Sequence, residues 1–284
     1  RKGIQRTMYE KLQATFQKVT FKAVDRLDLP EYKGSTFRGA LGISFKQVAC
    51  ALRRQTCETC LLRFRCAYSV CFETPVPETA EMMKKYPYAP HPFVLEPPED
   101  NRRSYEPGEE FSVGLWLVGR GADYLAHFIY AFDEMGRQGL GRERGKMELV
   151  NITGGNAARN EVFYDHSPQR MNKNPVPVTH SDIAARAADL DDAPLRLTFE
   201  TPMRVKAAER FTNSPDLGGL FPSLLRRLSS LHYFHCGGEE GGEVRPLIEA
   251  ARQVKTIRAE VHWVDWNRYS ARQDTIMQLG GFVG

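Results

Sequence analysis

Residues 50–66 read CALRRQTCETCLLRFRC, so four of the chain's six cysteines fall within seventeen residues, with four arginines among them. The spacing is Cys50-x6-Cys57-x2-Cys60-x5-Cys66. A C-x2-C pair forms a tight knuckle whose thiolates face one centre, and two flanking cysteines can complete a tetrahedron. Zinc suits that donor set best, and a structural role follows because four protein ligands leave no open position for a substrate. The nearby arginines would partly offset the charge of a zinc–tetrathiolate centre and ease ionisation of the thiols. An iron–sulfur cluster takes the same ligands and would make a redox protein, a different class of function. Disulfides and chance proximity are the remaining alternatives. Cys71 lies in an apolar run that suits a core, and Cys236 stands alone.

Arginine is the other chemistry-bearing residue. Arg38, Arg53, Arg54, Arg63 and Arg65 surround the cysteine stretch, Arg137, Arg142 and Arg144 sit in the glycine-rich RQGLGRERG, and Arg226 and Arg227 are adjacent in LLRRLSSL. Arginines supply bidentate phosphate contacts, and glycines let a backbone approach one. No P-loop, G-x-S-x-G, H-E-x-x-H or paired-carboxylate pattern occurs. Of the histidines, His91 precedes the extended HPFVLEPP and can reach the same groove as the arginines. His127 suits helix packing. His232 and His235 end an apolar helix, where the dipole favours a cation.

The elements that must position these residues follow from periodicity. The 284 residues are long for one domain and comfortable for two, and the composition is that of an ordinary globular protein. No run of eighteen apolar residues is present, and the amino-terminal residues lack the apolar core of a signal peptide. A cytoplasmic, non-membrane protein is expected, and the net charge of +4 permits a polyanionic partner. Residues 12–24 alternate as a strand, with a phase slip near Gln17 and Lys18 that predicts a bulge. From Phe37 the apolar residues 37, 41, 45, 48 and 52 have a helical period, with Arg38, Lys46 and Arg53 on another face. AYSVCFETP, HPFVLEPP and FSVGLWL read as strands, ADYLAHFIYAFDEMG as a helix, and KMELVNI as a strand. That order is the βαββαβ pattern of a ferredoxin-like unit.

A second unit opens at PLRLTFETPMRVK, read as a strand, followed by a helix with Leu217, Leu220, Phe221, Leu224, Leu225, Leu228 and Leu231 on one stripe. TIRAEVHWVDWNRYS then reads as a strand. The predicted architecture is α+β: an N-terminal ferredoxin-like domain over 8–152 with a four-cysteine insertion at about 50–66, a connection over 153–192 with one short helix near 183–188, and a C-terminal ferredoxin-like domain over 193–284 that is incomplete at its end.

Several stretches together resemble the CRISPR-associated endoribonucleases of the RAMP superfamily, which cut precursor CRISPR RNA within its repeats. They are GSTFRGALG, the cysteine segment running into CAYSVCFETP, HPFVLEPP, YEPGEEFSVGLWLVG, GRQGLGRERGKMELV, FETPMRVK, LLRRLSSL and VDWNRYSARQDTIMQLGGFVG. The resemblance implies two ferredoxin-like domains flanking a basic cleft. It implies cleavage without a metal, by attack of a ribose 2′-hydroxyl that leaves a 2′,3′-cyclic phosphate. CRISPR repeat RNA is the implied partner, with proteins of a CRISPR effector complex as further partners. Members often carry a histidine in or just after the first helix, whereas the first histidine of this chain is His91. The catalytic set expected here is therefore Lys46, Arg53 and Tyr68, with His91. The RNA contacts expected are Arg38, Arg54, Arg63, Arg65, Arg137, Arg142, Arg144, Arg226, Arg227 and, within VDWNRYS, Arg268. The runner-up is a non-catalytic RAMP-like subunit that binds guide RNA in an effector complex.

Overall fold

The computed structural model describes residues 8–52, 55–98, 100–155, 161–167, 170–171, 175–190, 194–207, 210–211, 216–239, 243–270 and 275–284. It is a mixed helix-and-strand protein with antiparallel sheets. Strand β1 (Gln13–Ala23) is followed by helix α1 (Gly34–Ala49), strands β2 (Phe93–Glu96) and β3 (Glu110–Val118), helix α2 (Leu125–Gln138) and strand β4 (Met147–Gly154). In space β2 pairs β3, β3 pairs β1, and β1 pairs β4. Strand β5 (Glu161–Asp165) then extends the sheet beyond β4, and residues 178–179 pair the start of β1.

Alternation puts residues 15, 17, 19, 21 and 23 of β1 toward the helices. Phe21, Phe37, Leu41, Phe45, Phe128 and Phe132 are fully buried there, each burial favouring the fold by roughly 1.5–3 kcal/mol. The phase slip expected at Gln17 is absent. Gln17 is fully buried in unbroken alternation, and the irregularity falls between Thr20 and Phe21, where β4 carries an extra residue. A polar side chain in the core, and not a bulge, disturbs the pattern.

Three further expectations change. Residues 69–73 (SVCFE) form a π-helical turn in place of a strand, with Val70, Cys71 and Phe72 buried. A short apolar run has no periodicity to separate these outcomes. Val48, in the last turn of α1, and Leu52, beyond its end at Ala49, are exposed. Residues 194–200 form no strand. Phe199 instead exchanges backbone hydrogen bonds with Gly284, and Met203 with Phe282.

The later residues carry helix α3 (His180–Ala188), close to the short helix expected, then α4 (Leu217–His235) and α5 (Arg245–Gln253). Strands β6 (His262–Ser270) and β7 (Thr275–Val283) pair as a hairpin. Asp216 caps α4 through Gly219 N–H, and Leu220, Leu225 and Leu231 are buried on the expected stripe. Leu224 and Leu228 of that stripe are exposed.

α4 docks its carboxyl end on the first sheet. Gly119, at the exit of β3, has φ +52°, and a Cβ there would stand 2.0 Å from the His235 carbonyl oxygen. Gly119→Ala is expected to destabilise the protein by roughly 1–3 kcal/mol from the left-handed backbone alone, with more from the clash. Chemical denaturation measures this, and an unchanged midpoint would contradict the packing.

Candidate RNA-cleavage site

A row of aromatic rings and cations runs from α1 to the loop before β2. Lys46, exposed in the last turn of α1, holds its Nζ 5.3 Å from the Tyr68 ring centre. Tyr68 stacks on Phe72 at 5.4 Å, with the rings 4° from parallel. Phe72 meets Phe93 at 4.8 Å, and the Arg38 guanidinium covers both rings at 4.6 and 4.7 Å. The His91 ring lies 6.1 Å from Phe93. Gly42 makes room for this row, since a Cβ there would meet the Phe72 ring at 3.3 Å.

The turn Ser69–Glu73 and the chain around His91 are held together locally. Thr74 N–H donates to Ser69 O at 2.6 Å and Ala89 N–H to Thr74 O at 2.8 Å. Thr74 Oγ1 lies 2.9 Å from His91 Nδ1 and donates to Val70 O at 3.0 Å. From the other half of the chain, His235 Nε2 donates to Pro90 O at 2.7 Å, and the Tyr233 hydroxyl accepts from Glu81 N–H at 3.0 Å.

Burial first, then the charges of Arg38 and Arg227 and the nearby His235, push the His91 pKa down to about 4. His91 is therefore neutral at physiological pH. Arg227 is exposed by accessible surface yet crowded by protein atoms, whose desolvation lowers its pKa. A guanidinium remains charged regardless. His235 is also held down at about 4, by burial and then by Arg120, against the Pro90 hydrogen bond. The dipole-favoured cation expected at the end of α4 is thus absent, because both His232 and His235 are buried and burial dominates.

The expected residues divide into groups. Lys46, Tyr68, Arg38, His91 and Arg227 come together across α1, the π-turn and α4. Arg53 and Arg54 lie outside the described residues. Arg63 and Arg65 occupy the turn between Cys60 and Cys66, where Arg63 lies over Phe64 at 5.4 Å. Arg137 is ion-paired with Asp133 on α2. Arg142 and Arg144 are exposed in a turn whose glycines serve packing: a Cβ on Gly141 would stand 2.4 Å from Asp28 O, and one on Gly145 2.3 Å from Arg26 O. Carbonyl oxygens crowd those glycines, which is unfavourable for a phosphate. Arg226 is exposed on α4, and the backbone of Arg268 lies in β6. Thr74, Pro90 and Arg120 escaped sequence reasoning. They are marked only by contacts made in the fold: Thr74 to His91, Pro90 to His235, and the Arg120 charge acting on His235.

Cys50, Cys57, Cys60 and Cys66 are free thiols, all partly buried. The pKa of Cys57 is raised by burial first, then by Glu73, and further by Cys66 and Cys50, against Lys46. Cys57 therefore senses Cys50 and Cys66, and four cysteine thiolates are by type a donor set for zinc. Among the described residues, no group of three or more His, Cys, Asp or Glu stands close enough to hold a metal ion. No described helix is long and apolar enough to cross a membrane.

Comparison with known proteins follows this architecture. Residues 12–176 match the family model AF_1859_N, an N-terminal domain, and residues 197–284 match that of the CRISPR-associated endoribonuclease Cas6. An uncharacterized protein of Archaeoglobus fulgidus is 28% identical over 138 residues, which are 48% of this chain and 44% of that protein. The match therefore spans less than half of the curated relative. A partial Cas6-RT-Cas1–Cas2 complex aligns with a TM-score of 0.52 at 12% identity, over 98% of this chain and 40% of that one. Thermus thermophilus Cas6 aligns with a TM-score of 0.45 at 12% identity, over 96% of this chain and 81% of that one.

The resemblance read in the sequence agrees with these findings: residues 197–284 match the Cas6 model, and the fold is similar to that of the partial Cas6-RT-Cas1–Cas2 complex. More particularly, the chain belongs to the family defined by the AF_1859_N N-terminal domain, whose model covers more than half of it.

Proposed function

We propose that this chain binds precursor CRISPR RNA at a repeat and cleaves it without a metal. The observation that carries this is His91, whose ring and the Arg38 guanidinium both lie against Phe93, and which also feels the charge of Arg227 on α4. Cleavage by a ribose 2′-hydroxyl needs a proton acceptor and fixed cations where the phosphorane charge develops. His91 takes the 2′-hydroxyl proton as the 2′-oxygen bonds to phosphorus. The bond from phosphorus to the 5′-oxygen breaks, solvent protonates that oxygen, and a 2′,3′-cyclic phosphate remains. A phosphate arriving between Arg38 and Arg227 offsets their charge and raises the basicity of His91 toward neutrality.

Phe72 and Phe93 lie between Tyr68 and His91, so Lys46 and Tyr68 contact the RNA strand beside the scissile phosphate. The tandem ferredoxin-like arrangement, with domains at 8–152 and 193–284 joined by 153–192, belongs to this reading. The strand order of the first sheet and the docking of α4 support it. The protein acts in the cytoplasm, where CRISPR effector proteins are its further partners.

A labelled repeat RNA incubated with the protein in EDTA should be cut at one position. Retention of intact RNA, with steep dependence on salt, would instead favour the second reading, an RNA-gripping subunit. The low basicity of His91 in the free protein is the observation that favours this alternative.

Zinc held by Cys50, Cys57, Cys60 and Cys66 would pin residues 50–66 and shape the arginine-bearing turn, with no part in the chemistry. Metal analysis of the purified protein should find about one zinc per chain. Cys57→Ser with Cys60→Ser should lose it and lower the melting temperature by several degrees. A metal-free preparation of equal stability would contradict the clasp.

A further inference from the structure

Thr74 combines two unusual features. It is 2% exposed, and its backbone has φ 49° and ψ 59°, a left-handed conformation that is an outlier for a β-branched residue. It also ends a π-helical turn, an arrangement that costs hydrogen-bond regularity and recurs at functional sites. Strain of this kind persists only where the surroundings over-determine it. What it achieves here is to present Oγ1 at once to Val70 O, at 3.0 Å, and to His91 Nδ1, at 2.9 Å.

The proton inventory then fixes the histidine. A carbonyl oxygen only accepts, so the single hydroxyl proton of Thr74 is committed to Val70 O. Toward His91 the Thr74 oxygen must accept, which places the imidazole proton on Nδ1. Among the described residues Nε2 takes no hydrogen bond, and it carries the lone pair. Resting on the reading of His91 as the proton acceptor, we propose that Thr74 is a positioning residue that locks His91 in the Nδ1–H tautomer and so presents Nε2 to the RNA 2′-hydroxyl. The charged and titratable groups facing His91 are Arg38 from α1 and Arg227 and His235 from α4. The two guanidiniums offer no acceptor, and the one acceptor of His235, its Nδ1, makes no hydrogen bond to His91. His235 Nε2–H is spent on Pro90 O, and its Nδ1 is buried without a partner.

The test reads the tautomer and the reaction separately. Imidazole 15N and 13C chemical shifts of His91 at pH 7 should report a protonated Nδ1 and an unprotonated Nε2 in the wild-type chain. Thr74→Ser keeps the hydroxyl and should keep the tautomer. Thr74→Val keeps the shape but removes the acceptor, and should give mixed tautomers with cleavage slowed by ~10²-fold and RNA affinity within about twofold. A wild-type His91 protonated on Nε2 would overturn the proposal, and that result needs no folded variant. So would Thr74→Val with unchanged shifts and rate. If the wild type binds repeat RNA without cutting it, the nuclease reading fails, and the chemical shifts still decide the role of Thr74.

Discussion

Replacing His91 by alanine is expected to slow cleavage of repeat RNA by ~10²–10⁴-fold while changing RNA affinity by less than about twofold. The split follows from the geometry. Affinity rests on cations and stacking surfaces: Lys46 beside Tyr68, Arg38 over Phe72 and Phe93, and Arg227 on α4. His91, neutral in the free protein, adds little charge attraction to the phosphates. Its expected contribution lies in accepting a proton during the reaction. Arg227→Ala should behave differently, weakening binding as well as rate, because a guanidinium acts on the ground state and on the phosphorane alike. Single-turnover cleavage and equilibrium binding, measured on the same variants, separate the two effects. Equal losses of affinity and rate in His91→Ala would remove it from the proton-transfer role.

Acid is expected to destabilise the protein over a window set by its buried histidines. His91 and His235 each move from an ordinary 6.5 to about 4, in both cases chiefly through burial. Below about pH 6.5 the unfolded chain takes up protons that the folded chain refuses, so stability falls as the pH drops from about 6.5 toward 4. The full contribution is present above that window. Each histidine is worth at most ~3 kcal/mol across it, and partial opening of the α4 contact would reduce that. His232, also lowered mainly by burial, adds in the same direction. Urea denaturation at pH 7.5 and pH 4.5 measures the slope. His235→Gln can still donate to Pro90 O but does not titrate, so it should flatten the slope by about half. A wild-type midpoint independent of pH over this range would contradict the buried neutral histidines.

The sequence marks the first sheet well because its helices and strands keep their periods. Phe37, Leu41 and Phe45 are buried at the spacing that announced α1, and β1, β3 and β4 lie where alternation placed them. What escaped was decided by tertiary context. The run SVCF carries no period and became a π-turn, and Gln17 is polar yet buried. The amphipathic α5 and the strand β7 went unread, although Pro246 near the start of α5 was a visible signal. The candidate site shows the same division. Lys46, Tyr68, Arg38, His91 and Arg227 were legible as residue types near one another in sequence or on helices. Thr74 was not, and His235 was legible only as a helix-end cation, since the importance of both rests on contacts to His91 and Pro90 across 17 and 145 residues.

The central claim is attack by a ribose 2′-hydroxyl with His91 as proton acceptor. The most direct measurement compares a repeat RNA with the same RNA carrying a single 2′-deoxy nucleotide at the cut, both in EDTA, with end-group analysis of the products. The account predicts one cut in the first RNA, ending in a 2′,3′-cyclic phosphate and a 5′-hydroxyl, and no cut in the second although it binds equally well. Cleavage of the deoxy-substituted RNA at the same position, or tight binding with no cut in either, would contradict it.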